Sequence, residues 1–219
     1  MKDQDIKTIV KSVPIIIAVG LYLIFAPDKD EKQVEETKNQ TAPTTEVSTN
    51  ETSTKAVISL QEAQQATGNE PTTATFVNAN DGDTINVMID GEKQRIRLLM
   101  IDTPEMNYNK GEPDPYAQQA KDFTINVLQQ ANDIQVLVDK GPATDDYDRL
   151  LAYVYVDGVL LQESLLKEGL GAIRYVNKPN NSLETQLRAI QKDAEQTKIN
   201  IWSEDGYFEN NRFNPDAVK

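Results

Sequence analysis

The stretch TINVMIDGEKQRIRLLMI, residues 84–101, restricts the fold more than any other part of this chain. Strand-forming runs flank Asp90-Gly91, a dipeptide suited to a two-residue hairpin because its backbone tolerates positive φ. Two antiparallel strands are expected, TINVMI (84–89) and RIRLLMI (95–101), with a third, ATFVNA (residues 74–79), just before them. The ends of these strands are crowded with charge. From residue 78 to 105 the chain carries six acidic side chains and two arginines.

Further along, residues 116–131 have helical period, with Ala117, Ala120, Phe123, Val127 and Leu128 on one face. IQVLVD (134–139) and LLAYVYVDG (150–158) return to strand. A short helix over 161–168 is closed by Gly169 in a left-handed cap. Asn181 and Glu184 form a capping box for a last helix with a Leu183, Leu187, Ile190 and Ala194 stripe. The INIW stretch (199–202) is expected to pack back on the domain, and residues 207–219 to form a flexible polar tail. The expected class is α+β: a small five-stranded barrel of the oligomer-binding (OB) type with about three packed helices, over residues 73–206.

Upstream lies a different kind of chain. Residues 12–26 are apolar, and as a helix these 15 residues reach about 22 Å against a hydrocarbon core of about 30 Å. Extension back to Ile9 lengthens the run, with Lys11 able to snorkel to the interface. Cleavage after Ala26 is disfavoured because Ile24 is not small and Pro27 follows. Residues 1–27 therefore read as a membrane anchor or uncleaved signal. Lys2, Lys7 and Lys11 before the run, against Lys29 and Lys32 after it, put the amino end inside. The expected location is the cell membrane, single-pass with the folded domain extracellular, or the medium if the segment is removed. Residues 28–72, rich in Thr, Glu and Gln, read as a disordered tether; only AVISLQEAQQA (56–66) suggests a brief helix.

Composition limits the chemistry. The 219 residues contain no cysteine and no histidine, which excludes thiolate nucleophiles, imidazole bases and soft-metal sites. The formal charge is −13, which does not advertise binding to a polyanion. Catalysis has to run on carboxylates, arginine, lysine, tyrosine, backbone or a hard cation.

The charged strand ends supply such a set. Asp81 and Asp83 bracket Gly82; Asp81 reads as a turn residue, whereas Asp83 starts a strand and points somewhere definite. Arg95 and Arg97 share a strand face opposite Ile96, and Asp102 and Glu105 follow around Thr103-Pro104. Convergence of Asp83 and Asp102 at one rim would need a cation between them, and oxygen ligands with the Thr103 carbonyl suit calcium or magnesium, calcium the better. Arg149 precedes an apolar strand much as Arg97 does. Two guanidinium groups beside a carboxylate-bound cation suit a phosphodiester and the charge that grows in its five-coordinate transition state. Glu105 is then the candidate base.

At DGDT (81–84), RLLMIDTPE (97–105), DRLLAYVYVDG (148–158), YVNKPNN (175–181) and NIWSED (200–205), the chain resembles the staphylococcal (micrococcal) nuclease family, the thermonucleases. The likeness covers about residues 71–206. It implies Ca²⁺ held by Asp83, Asp102 and the Thr103 carbonyl, Glu105 orienting or deprotonating the attacking water, and Arg97 and Arg149 on the phosphate. It also implies substrate contacts from Tyr147, Tyr175 and Lys178. The family hydrolyses DNA and RNA at the 5′ side of the phosphodiester, leaves 3′-phosphates and prefers single strands. A monomer with no protein partner is expected.

The chain departs from the family's best-known member at Asp146 and Asp148, which replace a lysine and a glycine, and at Asn177, which replaces a second pocket tyrosine. Residues 74–219 carry 24 acidic and 15 basic side chains, whereas better-known relatives are basic. Two other readings are a catalytically weak OB-fold module that binds nucleic acid or protein at the cell surface, and a surface protein whose carboxylates bind calcium only to stabilise it.

Overall fold

The structure, a computed structural model, describes residues 58–109 and 111–218. It opens with helix α1 (Leu60–Thr67), inside the stretch expected to be a tether. Ser59 and Glu62 cap it reciprocally, and Gly68 ends it at φ 74°. The helix is tied down: Ile58 N donates to the buried Glu163 carboxylate, and Tyr155 Oη donates to Ser59 O. Local capping and these two long-range bonds offset the ordering entropy that a free polar segment could not.

Strands β1 (Thr72–Thr73), β2 (Thr75–Ala79), β3 (Thr84–Ile89), β4 (Glu92–Leu98) and β5 (Ile101–Asp102) follow. Strands β3 and β4 pair from Thr84 opposite Arg97 to Ile89 opposite Glu92. Asp90 (φ 51°) and Gly91 (φ 81°) make their turn, and positive φ at both central residues is what a tight hairpin matched to strand twist requires. Next come α2 (Ala117–Gln129), β6 (Ile134–Val138), β7 (Leu150–Val156), β8 (Val159–Leu160), α3 (Leu161–Lys167), β9 (Ala172–Ile173), α4 (Glu184–Thr197) and the hairpin β10 (Phe208–Glu209) and β11 (Arg212–Phe213). Gly169 after α3 sits at φ 58°. Asn181 Nδ2 donates to Glu184 Oε2, but the residue that precedes α4 is Leu183, so the expected reciprocal box is not formed there.

Three expectations are corrected. The main sheet runs β1-β6-β7-β4-β3-β2, with β8 on β7, so it has seven strands and not five. Among the described residues no ladder joins its ends into a closed barrel: β1 and β2 are consecutive stretches of chain linked through Ala74, whose N–H bonds to Ile134 O. The result is an open α+β sheet with four α-helices among the described residues. The strand expected over 95–101 is split, because Met100 takes φ 58° and turns the chain between β4 and β5. The expected membrane helix of residues 1–27 lies outside the described residues, and no helix among those described is long and apolar enough to cross a membrane. The single-pass anchor, the membrane partner and the extracellular placement that depended on them are therefore withdrawn.

The segment after Asp205 also has structure. Tyr207 is buried against Tyr116, with Trp202, Phe208 and Phe213 around it, so its scattered aromatics form a second small core beside Ala172 and Ile201.

The main core is built on Ile85, Ile96, Leu98, Leu137, Leu161 and Leu187. One buried polar node crosses it. Asp139 accepts from Tyr153 Oη (2.7 Å), Ser182 N (2.8 Å) and Ser182 Oγ (2.6 Å), which fastens β6, β7 and the approach to α4. Burial first and the Asp139 carboxylate second push the Tyr153 phenol up, so it stays a donor. Replacing Asp139 by Ala strands these buried donors and should lower stability by about 2–4 kcal/mol, read from the urea midpoint.

Candidate active site

The site begins where β4 ends. β4 and β7 are parallel neighbours, with Ile96 opposite Leu150 and Arg97 opposite Leu151, so Arg149, just before β7, falls level with Arg95, and it shares a cavity with Arg97. Arg97 is buried, and its guanidinium is surrounded by acceptors. Nη1 donates to Leu98 O (3.0 Å) and Ile101 O (2.5 Å), filling the break between β4 and β5. Nη2 lies 2.9 Å from Asp102 Oδ1 and 3.3 Å from Asp83 Oδ2. Burial alone would weaken the charge, but Asp83 and Asp102 outweigh it and hold Arg97 firmly protonated. Both carboxylates thus meet at one guanidinium nitrogen at the sheet's rim.

Asp83 is fixed from all sides. Thr84 Oγ1 donates to its Oδ1 (3.1 Å), while Thr103 N (2.9 Å) and Thr103 Oγ1 (3.3 Å) donate to its Oδ2. Asp81 makes the turn the sequence assigned to it, with Oδ1 accepting from Thr84 N at 2.7 Å. It is also electrostatically part of the cluster. Desolvation first, then Asp83 and Glu105, push its carboxyl up to about 7. The same causes raise Asp102, through burial and Asp83, and Glu105, through desolvation, Asp83 and Asp102. Fully ionised, these four carboxylates exceed the two guanidinium groups in contact with them, Arg97 and Arg174, by two charges.

That excess, and oxygen donors alone, fit a hard divalent cation. Among the described residues no three Asp, Glu, His or Cys side chains are grouped so as to hold a metal ion between them. Such an ion would rest on Asp83, Asp102 and the Thr103 carbonyl, with water completing its shell.

Arg97, Asp102, Glu105, Tyr147, Arg149 and Tyr175 line one cavity of about 510 Å³, together with Asp145, Asp146, Asn177 and Asn180. Glu105 is exposed at the edge of this cavity. Asp145 organises the opposite wall: it accepts from Arg149 Nε and N, at 2.7 and 3.0 Å, and from Tyr147 N at 2.9 Å. Partial desolvation pushes the Asp145 carboxyl up, yet the Arg149 and Tyr147 bonds prevail and hold it below its usual value. Tyr147 and Tyr175 are largely exposed, with Arg149 and Arg97 against their respective ring faces at 5.5 and 5.6 Å. Asp148 occupies the left-handed region at φ 55°, which explains why a glycine suits that position and why aspartate is among its better replacements.

Lys178, expected on the substrate, does not line this cavity. Three residues that do shape the site escaped the sequence reading. Asp145 was detectable, since TDDYDR puts it four residues before Arg149. Asn180 holds the wall by accepting from Gly141 N and donating to Pro142 O. Arg174 had no local signal, because its partner Asp102 is 72 residues away and β5–β9 pairing creates the contact.

Comparison with known proteins agrees with this geometry. The staphylococcal nuclease homologue family model matches residues 95–204. Endonuclease YncB of Bacillus subtilis is 42% identical over 140 residues, covering 64% of this chain and 66% of its own length. The SPbeta prophage-derived endonuclease YokF of the same organism is 41% identical over 140 residues, 64% of this chain and 47% of its own. The thermonuclease of Staphylococcus hyicus is 36% identical over 131 residues, 60% of this chain and 76% of its own. The match thus spans just under two thirds of YncB and about half of YokF. This chain belongs to the staphylococcal nuclease family.

The DGDT turn precedes the matched segment, and close packing brings it into the site. Gly82 is not at positive φ; a Cβ there would lie 2.8 Å from Ala120 Cβ and 2.8 Å from Thr103 Cγ2. Thr124 Oγ1 donates to Gly82 O at 2.7 Å, clamping the turn to α2. Glycine is required here for close approach, not for the turn itself. Gly82→Ala should overpack this joint and cost about 1–3 kcal/mol in a thermal or urea melt.

Proposed function

We propose that this domain is a calcium-dependent phosphodiesterase that hydrolyses DNA and RNA, single strands in preference, and leaves 3′-phosphate ends. One observation carries the reading: two guanidinium groups and an exposed glutamate with a raised carboxyl open on one cavity, in a cluster whose four carboxylates outnumber the guanidinium groups in contact with them. The names of YncB, YokF and the staphylococcal thermonuclease support the nuclease class.

The side chains divide the work. Arg149, its plane fixed by Asp145, and Arg97, fixed by its acceptors, donate to the phosphate oxygens and oppose the charge that builds as phosphorus becomes five-coordinate. Glu105 takes a proton from water as the water oxygen bonds to phosphorus; the bond to the 5′ oxygen breaks, and that oxygen takes a proton from solvent as it leaves. Desolvation and the neighbouring Asp83 and Asp102 raise the Glu105 carboxyl, which makes it a stronger base than an isolated glutamate, once ionised. Calcium on Asp83, Asp102 and the Thr103 carbonyl would supply a hard positive charge next to the phosphate. Tyr175 offers an exposed ring to an unstacked base, which favours single strands, and the exposed Tyr147 is placed to touch a phosphate.

Denatured DNA should be cut with calcium and left intact with chelator; intact substrate at neutral to alkaline pH with calcium present would refute the reading. Glu105→Gln should lower kcat by about 10² or more while calcium affinity and Tm hold. A binding-only module would show no cleavage for that change to remove. The acidic surface makes a further difference measurable. Affinity for single-stranded DNA should fall less steeply with salt than for a basic relative, and an equally steep slope of log affinity against log salt would contradict this.

A further inference from the structure

Asp102 has no carboxylate oxygen without a cationic partner. Oδ1 meets Arg97 Nη2 at 2.9 Å, and Oδ2 meets Arg174 Nη1 at 2.8 Å. The two guanidinium groups differ in how they are held. Arg97 is the more buried, its side chain 10% exposed, and it also bonds Leu98 O, Ile101 O and Asp83. Arg174 is 27% exposed, and beyond Asp102 it lies against the Tyr175 ring, 4.7 Å from its centre. Its backbone is anchored, by Arg174 N to Met100 O, while the charged end sits at the rim.

We propose that Arg174 is a displaceable counter-ion that competes with the divalent cation for Asp102 Oδ2 and so sets the calcium concentration at which the site fills. This rests on the calcium reading above. A cation that takes an Asp102 oxygen as ligand has to evict a guanidinium, and Arg174 has the fewer bonds to lose and solvent beside it. Eviction also leaves two positive charges near each other, so the exchange costs calcium affinity twice, through the broken ion pair and through repulsion. Without calcium the same guanidinium orients Asp102 through its bond to Oδ2. Arg174 is thus a positioning residue for the cation ligand, and its stem and the Tyr175 face give the released group somewhere to rest.

Calorimetric calcium titration of the full chain tests this with wild type, R174Q, and R188Q as a control at an exposed ion pair with Glu184. R174Q should bind calcium about tenfold more tightly than wild type, and its calcium-free Tm should fall. R188Q should bind calcium as wild type does. Calcium binding that emerges only in R174Q would equally support the competition. Wild-type binding with R174Q unchanged or weaker would overturn the counter-ion role and leave the proposed function standing. Absence of calcium binding in both would overturn the calcium reading itself, and the counter-ion role with it.

Discussion

The burial of one arginine governs this site. Arg97 stands at the point where β4 ends, and its guanidinium satisfies two carbonyls of the broken strand while bridging Asp83 and Asp102. A buried guanidinium is costly unless every N–H edge has an acceptor and the charge is compensated. The fold meets that demand by bringing three separate stretches together: the DGDT turn, the end of β4 and the start of the Thr103-Pro104 loop. The ion pairs therefore do more to specify geometry than to add stability, since a buried pair returns little net energy. A chain that failed to close the turn onto α2 would lose the acceptor at Asp83 and leave Arg97 undercompensated.

From this arrangement the site's electrostatics follow. The carboxylates outnumber the guanidinium groups in contact with them, and their mutual repulsion is visible in the raised Asp81, Asp102 and Glu105 carboxyls. Such a surplus is a stability cost that a hard cation or bound protons relieve. The parallel pairing of β4 with β7 then delivers the second arginine on the cavity side, held by Asp145. Fold and chemistry are coupled at one register: a slip of β7 by a single residue would turn the strand over and carry Arg149 away from Arg97.

Much of this was legible before the fold was known, for reasons that differ by residue. Asp83, Arg97, Asp102, Glu105 and Arg149 stand out because charge at the ends of apolar strands is expensive without a purpose, and the structure does gather them. The hairpin at Asp90-Gly91 and the cap at Gly169 are local and were readable from local chemistry. Closure of the sheet was not, because which strands form its edges depends on lateral pairings between distant segments. The continuous apolar run 98–101 hid a break, since the residue that turns the chain, Met100 at φ 58°, is an apolar one and not a glycine or asparagine. The aromatic residues after 205 read as a tail because no periodicity marks a small core built from single residues of α2's approach, the 200–202 turn and a hairpin. Arg174 was invisible for the same reason: its meaning lies in a pairing across the sheet.

The central claim is that Asp83, Asp102 and the Thr103 carbonyl hold one hard cation beside two substrate-facing arginines. Anomalous diffraction from crystals grown with calcium tests it directly. The account predicts a single strong peak about 2.3–2.6 Å from oxygens of Asp83, Asp102 and Thr103, with Arg97 and Arg149 still lining the same cavity. A peak elsewhere on the acidic surface, with both aspartates still paired only to arginine at saturating calcium, would contradict it.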